Sequence, residues 1–452
     1  MTLVVDDPVL EQLRSELRGA VIGPADPEYD PARSVHNAMI DRRPAVIARC
    51  TGVADVRAAL DFGLAHDLPI AVRGGGHNVA GKAVCDDGIV IDLSEMKGMR
   101  VDPESRIARA EAGLTWGEFD RETQAFGLAT TGGEISTTGI AGLTLGGGIG
   151  YLHRKHGLTC DNLLSADVVT ADGGFLKASE TENADLFWGL RGGGGNFGIV
   201  TSLEYRLHPV AQVLAGPVLH RFGAARDVFE LYRDYSLAAP DDVAALFALA
   251  ALPDGEWAVL LFVCYCGPPE AAEKAVAEVR TFGHPLEDLI QPMSYCEVQA
   301  AFDADFPRGM KHYWKSSNVS TLSNEAIDTM VAFVEAAPSV RPMVFLERFG
   351  GAVARVPDDA TAFGHRDAEW DLVIASMWSD DAEQEAHIEW TRSFWEAMKP
   401  YSTESVYVNY LGEEGEERVQ AAYGKEHYSR LVELKRRYDP ANVFRLNQNV
   451  KP

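Results

Sequence analysis

The sequence is poor in cysteine, has no excess of basic residues and contains no long apolar run, and each absence excludes a class of protein. The six cysteines among 452 residues form neither a CxxC pair nor a dense framework, which argues against a zinc site or a disulfide scaffold. The 41 basic residues are outnumbered by 67 acidic ones, and the net charge of -26 repels nucleic acid and anionic membranes. We therefore expect neither as a partner.

Targeting signals and bilayer-length segments are missing as well. The chain turns acidic at Asp6 and Asp7 without a basic stretch followed by an apolar one, so no secretory signal is visible. No apolar run approaches the length that spans a bilayer. The expectation is a cytoplasmic protein. The excess of acid either steers a cationic substrate or reflects a salty or crowded habitat, and the sequence leaves both readings open.

The composition and length predict two ordered domains. Hydrophobic residues make up 46% and charged residues 24%, as in globular proteins, and the length exceeds what one hydrophobic core usually serves. The pattern changes after Pro209. Before it, short strands and helices alternate with glycine turns in an α+β unit. From about 213 to 404, alternating strands and amphipathic helices predict an antiparallel sheet backed by helices.

The periodicity of apolar residues predicts the individual elements. Predicted helices cover residues 8–20, 53–64, 115–125, 271–280, 324–336 and 427–438. Predicted strands cover residues 44–49, 70–73, 89–93, 107–110, 166–170, 199–207, 244–250, 259–266, 343–349 and 372–378. Thr115 followed by Glu118 predicts a capping box at the start of its helix.

Three glycine clusters indicate that the backbone approaches one extended ligand closely. The first is Arg73, Gly74, Gly75, Gly76, His77 and Asn78. Bare peptide N–H groups beside a fixed cation suit a pyrophosphate, and an imidazole beside them suits a covalent tether; a plain tight turn with a structural histidine is the alternative. The other clusters are Gly139, Gly142, Gly146, Gly147, Gly148 and Gly150, and then Gly192 to Gly198. Together they predict a dinucleotide site.

The two familiar nucleotide motifs do not account for these clusters. Gly193, Gly195 and Gly198 have the spacing of a Rossmann fingerprint, but that motif requires a helix to open at the third glycine, and residues 199–207 are a predicted strand. No glycine run ends in Lys followed by Ser or Thr, so the Walker pattern is absent. The phosphate site is therefore of another type.

Four segments together resemble a known family. They are RGGGHN at 73–78, GGGIGYLHRKHGLTCDN at 146–162, DLFWGLRGGGGNFGIVT at 185–201 and YDPANVFRLNQN at 438–449. In this order, over nearly the whole chain, they are similar to the FAD-linked oxidases of the berberine bridge enzyme type, within the wider vanillyl-alcohol-oxidase (PCMH-type FAD-binding) fold. The length and the lack of a signal are closest to the bacterial members, which include nicotine-derivative and antibiotic-tailoring oxidases.

The resemblance implies how FAD is held. A flavin domain of residues 1–212 is completed by the returning segment 405–452, and a substrate domain spans 213–404. His77 makes a single covalent bond to the flavin, since the place of the second, cysteinyl link of many plant members is taken by Ile135, and Cys160 is expected to be a packing residue. The implied cofactor-binding residues are Arg73, Gly74, Gly75, Gly76, His77, Asn78, Thr137, Gly139, Gly142, Gly146, Gly150, Ile199, Val200, Asn409, Asn447 and Gln448.

The resemblance also suggests which residues act on the substrate. Tyr410 matches a tyrosine beside the flavin that often serves as base, and an extended backbone would turn Tyr407 and Asn409 to one side and Tyr410 to the other. A tyrosine needs a nearby cation or hydrogen bonds to act as a base at neutral pH. Lys315 is the candidate cation, unless it reaches out to solvent. Glu347 is the alternative base, unless it lies on a solvated sheet face.

The predicted activity is an FAD-dependent oxidase. A hydride would pass from a C–H bond of a small alcohol, sugar or amine to the flavin, and O2 would reoxidise the flavin to give H2O2. Two alternatives stay open: a dehydrogenase on the same fold that uses another electron acceptor, and a flavin-loaded binding protein without turnover.

Overall fold

The first half of the chain forms short strands and helices around glycine turns, as its pattern predicts. In this computed structural model, which describes residues 7–252, 254–339 and 341–452, the strands of this half are β1 Val21–Ile22, β2 Val46–Arg49, β3 Ile70–Arg73, β4 Ile89–Asp92, β5 Met99–Asp102, β6 Ile107–Glu111, β7 Leu128–Ala129, β8 Leu163–Val169, β9 Phe175–Ser179, β10 Ile199–Arg206 and β11 His208–Pro209. Its helices are α1 Asp7–Glu16, α2 Tyr29–Arg33, α3 Val53–Ala65, α4 Trp116–Gln124, α5 Ile140–Leu145, α6 His153–His156 and α7 Ala184–Leu190.

These strands pair into two main sheets. The first has the order β1-β2-β4-β3, and β2, β4 and β3 run parallel, so the chain leaves the end of β3 directly into residues 74–78. The second has the order β5-β6-β10-β8-β9 and is antiparallel. Residues 199–206 are a strand, so Gly198 does not open a helix. The rejection of a Rossmann fingerprint is therefore confirmed.

The second half forms one large sheet. Its strands are β12 Gln212–Arg221, β13 Val243–Ala251, β14 Trp257–Tyr265, β15 Glu287–Asp288, β16 Gln291–Ser294, β17 Lys311–Val319, β18 Met343–Arg348 and β19 Trp370–Trp378, and its helices are α8 Ala225–Ala238, α9 Pro269–Thr281, α10 Tyr295–Gln299, α11 Asn324–Glu335, α12 Gly351–Arg355 and α13 Gln384–Met398. The strand order is β15-β12-β14-β13-β18-β19-β17, with β16 beside β12, and all pairs are antiparallel. The α+β fold with an antiparallel sheet is thus confirmed.

The large sheet has two different apolar faces because side chains alternate along each strand. Phe247 and Leu249 belong to the core under the helices. Leu246 and Phe345 belong to a second core that also contains Ala129 and Tyr151 of the first half. One face of the sheet therefore carries its own helices, and the other packs against the first half of the chain.

The last segment returns to the first half. It contains α14 Glu416–Tyr423 and α15 Lys425–Tyr438, and Phe444 and Val450 beyond them are buried in the core of the first half. Lys435, near the end of α15, is fully buried. Its ammonium donates to Asp439 at 2.7 Å and to the carbonyls of Asn196 and Phe444 at 2.9 Å each. The tail is thereby fixed to the third glycine cluster.

Two details of the predicted helices are informative. The capping box of α4 is confirmed, with Thr115 and Glu118 bonded reciprocally. The helix predicted for residues 8–20 is shorter and ends at Glu16, because the N–H groups of Arg18 and Gly19 donate to the Asp55 carboxylate at 2.9 and 3.1 Å. The segment without a secretory pattern, residues 1–6, lies outside the described residues. Within them, no helix combines the length and apolarity needed to cross a membrane.

Candidate functional site

A cavity of about 600 Å³ runs between the two halves of the chain. Residues from all three glycine clusters line one part of it, and the inner face of the large sheet lines the other. The predicted site residues that border it are Gly74, Gly75, Gly76, His77, Asn78, Gly139, Gly142, Gly146, Ile199, Val200, Tyr407, Asn409, Tyr410, Asn447 and Gln448. The structure therefore brings together residues that are up to 374 positions apart (448 − 74).

The glycines serve two distinct purposes in this cavity. A Cβ atom on Gly75 would lie 2.3 Å from the backbone nitrogen of Gly139, so these two loops touch backbone to backbone and neither tolerates a side chain. A Cβ atom on Gly142 or Gly195 would meet nothing within 4 Å, because both border the open cavity. The first pair shapes the walls, while the second pair leaves peptide groups bare toward a ligand.

His77 lies in the glycine loop with an unusual set of neighbours. Its Nε2 is 2.8 Å from the Thr137 hydroxyl, and its Nδ1 is 3.4 Å from the Thr138 hydroxyl. Its ring stacks on His36, whose ring in turn stacks on His312 at a centroid distance of 5.0 Å. Burial, together with the charges of these two histidines and Arg308, holds the pKa of His77 well below its usual value. The imidazole is therefore neutral at pH 7, and one of its ring nitrogens carries an unprotonated electron pair that suits a nucleophilic role.

The other end of the cavity carries a group of buried acids. The Tyr410 hydroxyl donates to both carboxylate oxygens of Glu347 at 3.4 Å, and Glu347 hydrogen-bonds to Glu134, which borders the cavity. Asp371 pairs opposite Glu347 in the sheet. Burial and the neighbouring Glu134 raise the pKa of Glu347 well above its usual value, and burial raises that of Glu134. The two carboxyl groups therefore hold a proton to a higher pH than a free glutamate does.

Tyr407, Asn409 and Tyr410 do not lie on an extended strand as expected. Residues Val408–Tyr410 form a single 3₁₀ turn, since the Tyr410 N–H donates to the Tyr407 carbonyl. The Tyr407 hydroxyl accepts hydrogen bonds from the Gly148 N–H at 2.8 Å and the Asn409 amide at 2.7 Å. This turn presents Tyr410 to Glu347, while Tyr407 ties the segment to the second glycine cluster.

The predicted roles of Lys315 and Arg73 need correction. The Lys315 ammonium pairs with Glu414 at 2.6 Å, and its neighbour Trp314 contacts Tyr410; because side chains alternate on β17, Lys315 is on the opposite face of the sheet from Tyr410. The groups around Tyr410, burial and Glu347 first, raise its pKa well above the usual value. Tyr410 is therefore a protonated donor at neutral pH rather than a base activated by a cation.

Arg73, like Lys315, pairs with a carboxylate and does not border the cavity. Its guanidinium is buried and pairs with Asp92 at 2.7 Å, its register partner on the neighbouring parallel strand. It is absent from the described lining of the cavity, as are Thr137 and Gly150. Thr137 instead contacts His77, and a Cβ atom on Gly150 would lie 2.5 Å from the Gly132 carbonyl. These three residues shape the loops around the cavity.

Several site residues carry no recognisable signal in the sequence. Glu134 follows two glycines in a stretch rich in glycine and threonine, and His36 lies in a loop 41 positions before His77. His312 and Trp314 lie on β17, in whose sequence polar and apolar residues do not alternate clearly. Each reaches the site only through long-range packing, so nothing in its own neighbourhood predicts its role.

The residues that border the cavity fit FAD. Bare peptide groups at Gly142 and Gly195, an amide at Gln448 and a neutral imidazole at His77 are donors and acceptors that suit a pyrophosphate and a flavin edge. The Asn447 side chain supports the fit, because its Oδ1 is buried without a partner among the described residues while its Nδ2 donates to Gly195 at 3.1 Å.

Comparison with known proteins agrees with this fit. Residues 44–179 match the family model of an FAD binding domain, and residues 406–451 match the model described as berberine and berberine like. The chain is 30% identical over 449 residues to an FAD-linked oxidoreductase of Dictyostelium discoideum, covering 98% of this chain and 97% of the other. It is 31% identical over 457 residues to (R)-6-hydroxynicotine oxidase of Paenarthrobacter nicotinovorans, covering 96% and 97%.

The fold agrees with a solved structure. The crystal structure of 6-hydroxy-D-nicotine oxidase from Arthrobacter nicotinovorans superposes with a TM-score of 0.91 at 30% identity, covering 99% of this chain and 100% of that one. The likeness thus extends over both halves of the molecule and over the returning tail.

Proposed function

The chain belongs to the FAD-linked oxidoreductases of the berberine bridge enzyme type, and on this premise we propose that it is an oxidase of a small alcohol, sugar or amine. The observation that carries the proposal is the single cavity that joins the three glycine clusters and His77 to Tyr410 and the Glu134–Glu347 pair. Bound FAD would supply a two-electron acceptor that takes a hydride from a C–H bond.

We propose that residues 1–212, with 405–452, form the flavin half and that 213–404 form the substrate half. The two parts of this division have separate sheets, and the tail is fixed to the flavin half through Lys435. In the described residues, the substrate half contributes to the cavity the inner face of its sheet, the residue that follows β13, and the turns at 301–306 after α10. A substrate on that face would therefore meet the flavin from the large sheet.

His77 is the proposed covalent tether. Its neutral ring borders the cavity, which favours nucleophilic attachment. Ile135, at the place of the cysteinyl link in some relatives, borders the cavity without a thiol. Cys160 is fully buried and absent from the described lining, and burial raises the pKa of its thiol. A single link follows.

The proton of the substrate's O–H or N–H would pass to the acid group through Tyr410. Tyr410 already donates to Glu347, so it can receive one proton on its oxygen while it releases its own to the carboxyl pair. A carboxyl pair with a raised pKa is a base matched to neutral pH. The Tyr407 and Asn409 side chains hold the turn on which Tyr410 lies.

Anaerobic reduction followed by exposure to air tests the proposal. Purified protein should be yellow, a substrate should bleach the flavin in the absence of oxygen, and air should return the colour within seconds with release of H2O2. A return of colour only with another electron acceptor would identify a dehydrogenase instead. Protein that binds FAD but is bleached by no alcohol, sugar or amine would leave only a binding function.

A further inference from the structure

The wall of the cavity opposite the glycine clusters is formed almost entirely by apolar side-chain atoms in the described residues. Every residue of the large sheet that borders the cavity there is Ala, Leu, Pro, Met, Phe or Trp. Strand alternation is the cause, since Leu246 and Ala248 of β13 face the cavity while Phe247 between them belongs to the core under the helices. Apart from the indole N–H of Trp314, which has no partner among the described residues, the side chains of this wall therefore offer a ligand neither donors nor acceptors.

Several aromatic rings lie on this wall or next to it and border the cavity. Phe262 packs against Phe302 with ring centroids 5.2 Å apart. Trp314 lies edge-on to Phe306 at 6.1 Å and to Tyr410 at 6.0 Å. All five rings border the cavity. Such edges and faces favour a flat aromatic ligand between them.

Polar side chains occur only at limited places around this part of the cavity. Glu134 and Tyr410 border the end of the cavity at which we place the reaction, and Asp305 borders the cavity from the segment that follows α10. A pyranose carries a hydroxyl on nearly every ring carbon, and each hydroxyl that leaves water without a new partner weakens binding. The wall of Leu246, Ala248 and Phe262 offers no such partners. An apolar ring loses nothing there and gains from leaving water.

We propose that the substrate is a flat, largely apolar molecule of one or two fused rings, with its alcohol or amine carbon directed to Tyr410, and that it is not a sugar. The inference rests on the proposed oxidase function. In the reaction, the C–H bond would break with its electron pair and bound FAD would supply the acceptor of that hydride, while the O–H or N–H proton would pass to Tyr410 and the carboxyl pair as a C=O or C=N bond forms. O2 or another electron acceptor would take up the two electrons in the end.

Binding and reduction must be measured separately on the FAD-loaded protein. The probes are 2-naphthylmethanol and 2-naphthylmethylamine against glucose and cellobiose, titrated without oxygen while the flavin spectrum is followed. A spectral shift at unchanged oxidation state reports binding, and bleaching reports turnover. We expect at least one naphthyl compound to have a Kd at least 100-fold lower than either sugar.

The outcomes separate this inference from the proposed function. Naphthyl binding without bleaching by any compound supports the apolar substrate class and counts against the oxidase. A sugar that binds as tightly as the naphthyl compounds, or that alone bleaches the flavin, overturns the apolar class while supporting the oxidase. Binding of neither class also overturns it.

Variants on the wall give a second check. Ala248→Phe fills space beside the rings and should raise the Kd of the better naphthyl probe at least 10-fold. Ala250→Leu, also on the wall, is a milder change that serves if the first variant does not fold. The matched control is Ala271→Phe, on the exposed face of outer helix α9, which should leave the Kd unchanged. An unchanged Kd in both wall variants would contradict the placement of the ring.

Discussion

The imidazole rings of His36 and His77 are stacked, with centroids 4.0 Å apart and planes inclined by 20°. The His36 N–H of the backbone donates to the Gly76 carbonyl at 3.0 Å, and the neighbouring Asn37 side chain exchanges two hydrogen bonds with the backbone of His312, at 3.0 and 2.9 Å. His36 is thus held between the glycine loop and the large sheet. Because the His36 ring stays neutral at neutral pH and stacks on His77, it provides an apolar face that favours the neutral form of His77.

Replacing His36 should change how stability depends on pH. Burial and Arg308 lower the pKa of His36 to about 4, below its ordinary 6.5, so the unfolded chain binds this proton first as the pH falls. This histidine therefore does not lower the free energy of unfolding above pH 6.5. Between pH 6.5 and 4 the free energy of unfolding falls by about 3 kcal/mol in all, because the unfolded chain takes up the proton more readily. His36→Phe keeps a ring on His77 but removes the titration.

The measurement compares wild type and His36→Phe by denaturant unfolding at pH 7.5 and 4.5. The variant should gain about 2–3 kcal/mol relative to wild type at the lower pH. The buried carboxyl groups, whose raised pKa values favour the folded state at low pH, are present in both proteins. Their effect on the free energy of unfolding therefore cancels in the comparison. Parallel pH profiles for wild type and His36→Phe would contradict the account.

The acid group should control the pH dependence of flavin reduction. Glu347→Gln keeps an oxygen that accepts from Tyr410 but removes the carboxyl group that takes up the proton, and it should slow anaerobic reduction roughly 100-fold or more. Glu134→Gln removes the neighbour that raises the pKa of Glu347, so the acid limb of the rate profile should move to lower pH, with a smaller loss of maximal rate. Rates measured from pH 5 to 9 check both variants. A profile that Glu134→Gln leaves in place would show that the two carboxyls do not act as a pair.

The buried ion pair of the tail should matter for stability. Lys435→Met leaves the Asp439 carboxylate without its cation in a fully buried position, and such a loss costs about 3–5 kcal/mol. FAD should also dissociate more readily in a tether-free background, because Asn447 and Gln448 lie on the released segment. The matched control is Lys399→Met, whose exposed pair with Glu396 contributes less than about 1 kcal/mol. Equal unfolding midpoints of the two variants would contradict this role of Lys435.

The sequence predicts best where local chemistry decides the structure. β3 is predicted at its observed bounds, since the apolar residues 70–72 are followed by Arg73 and then by glycines, and α4 starts where its capping box predicts. The sequence predicts Arg73 as a phosphate ligand because its actual partner, Asp92, is 19 positions away, and only the parallel pairing of β3 and β4 brings the two together.

The acid end of the site depends still more on long-range packing. Lys315 and Trp314 are adjacent in sequence, and only the pairing of β17 shows which of them faces Tyr410. Glu134 and Glu347 are contributed by different halves of the chain. The pair of carboxyl groups therefore becomes visible only in the folded molecule. The glycine clusters, in contrast, are visible in sequence because a bare backbone requires a specific residue type.

The most direct measurement is the mass of the flavin-bearing peptide. The purified protein is precipitated with acid, washed, digested and analysed by mass spectrometry alongside His77→Ala and Cys160→Ala variants. The account predicts FAD bonded to the peptide that contains His77, retained in Cys160→Ala and lost in His77→Ala, which should bind FAD only non-covalently. All flavin washed free of the wild-type protein, or flavin bonded to the Cys160 peptide, would contradict it.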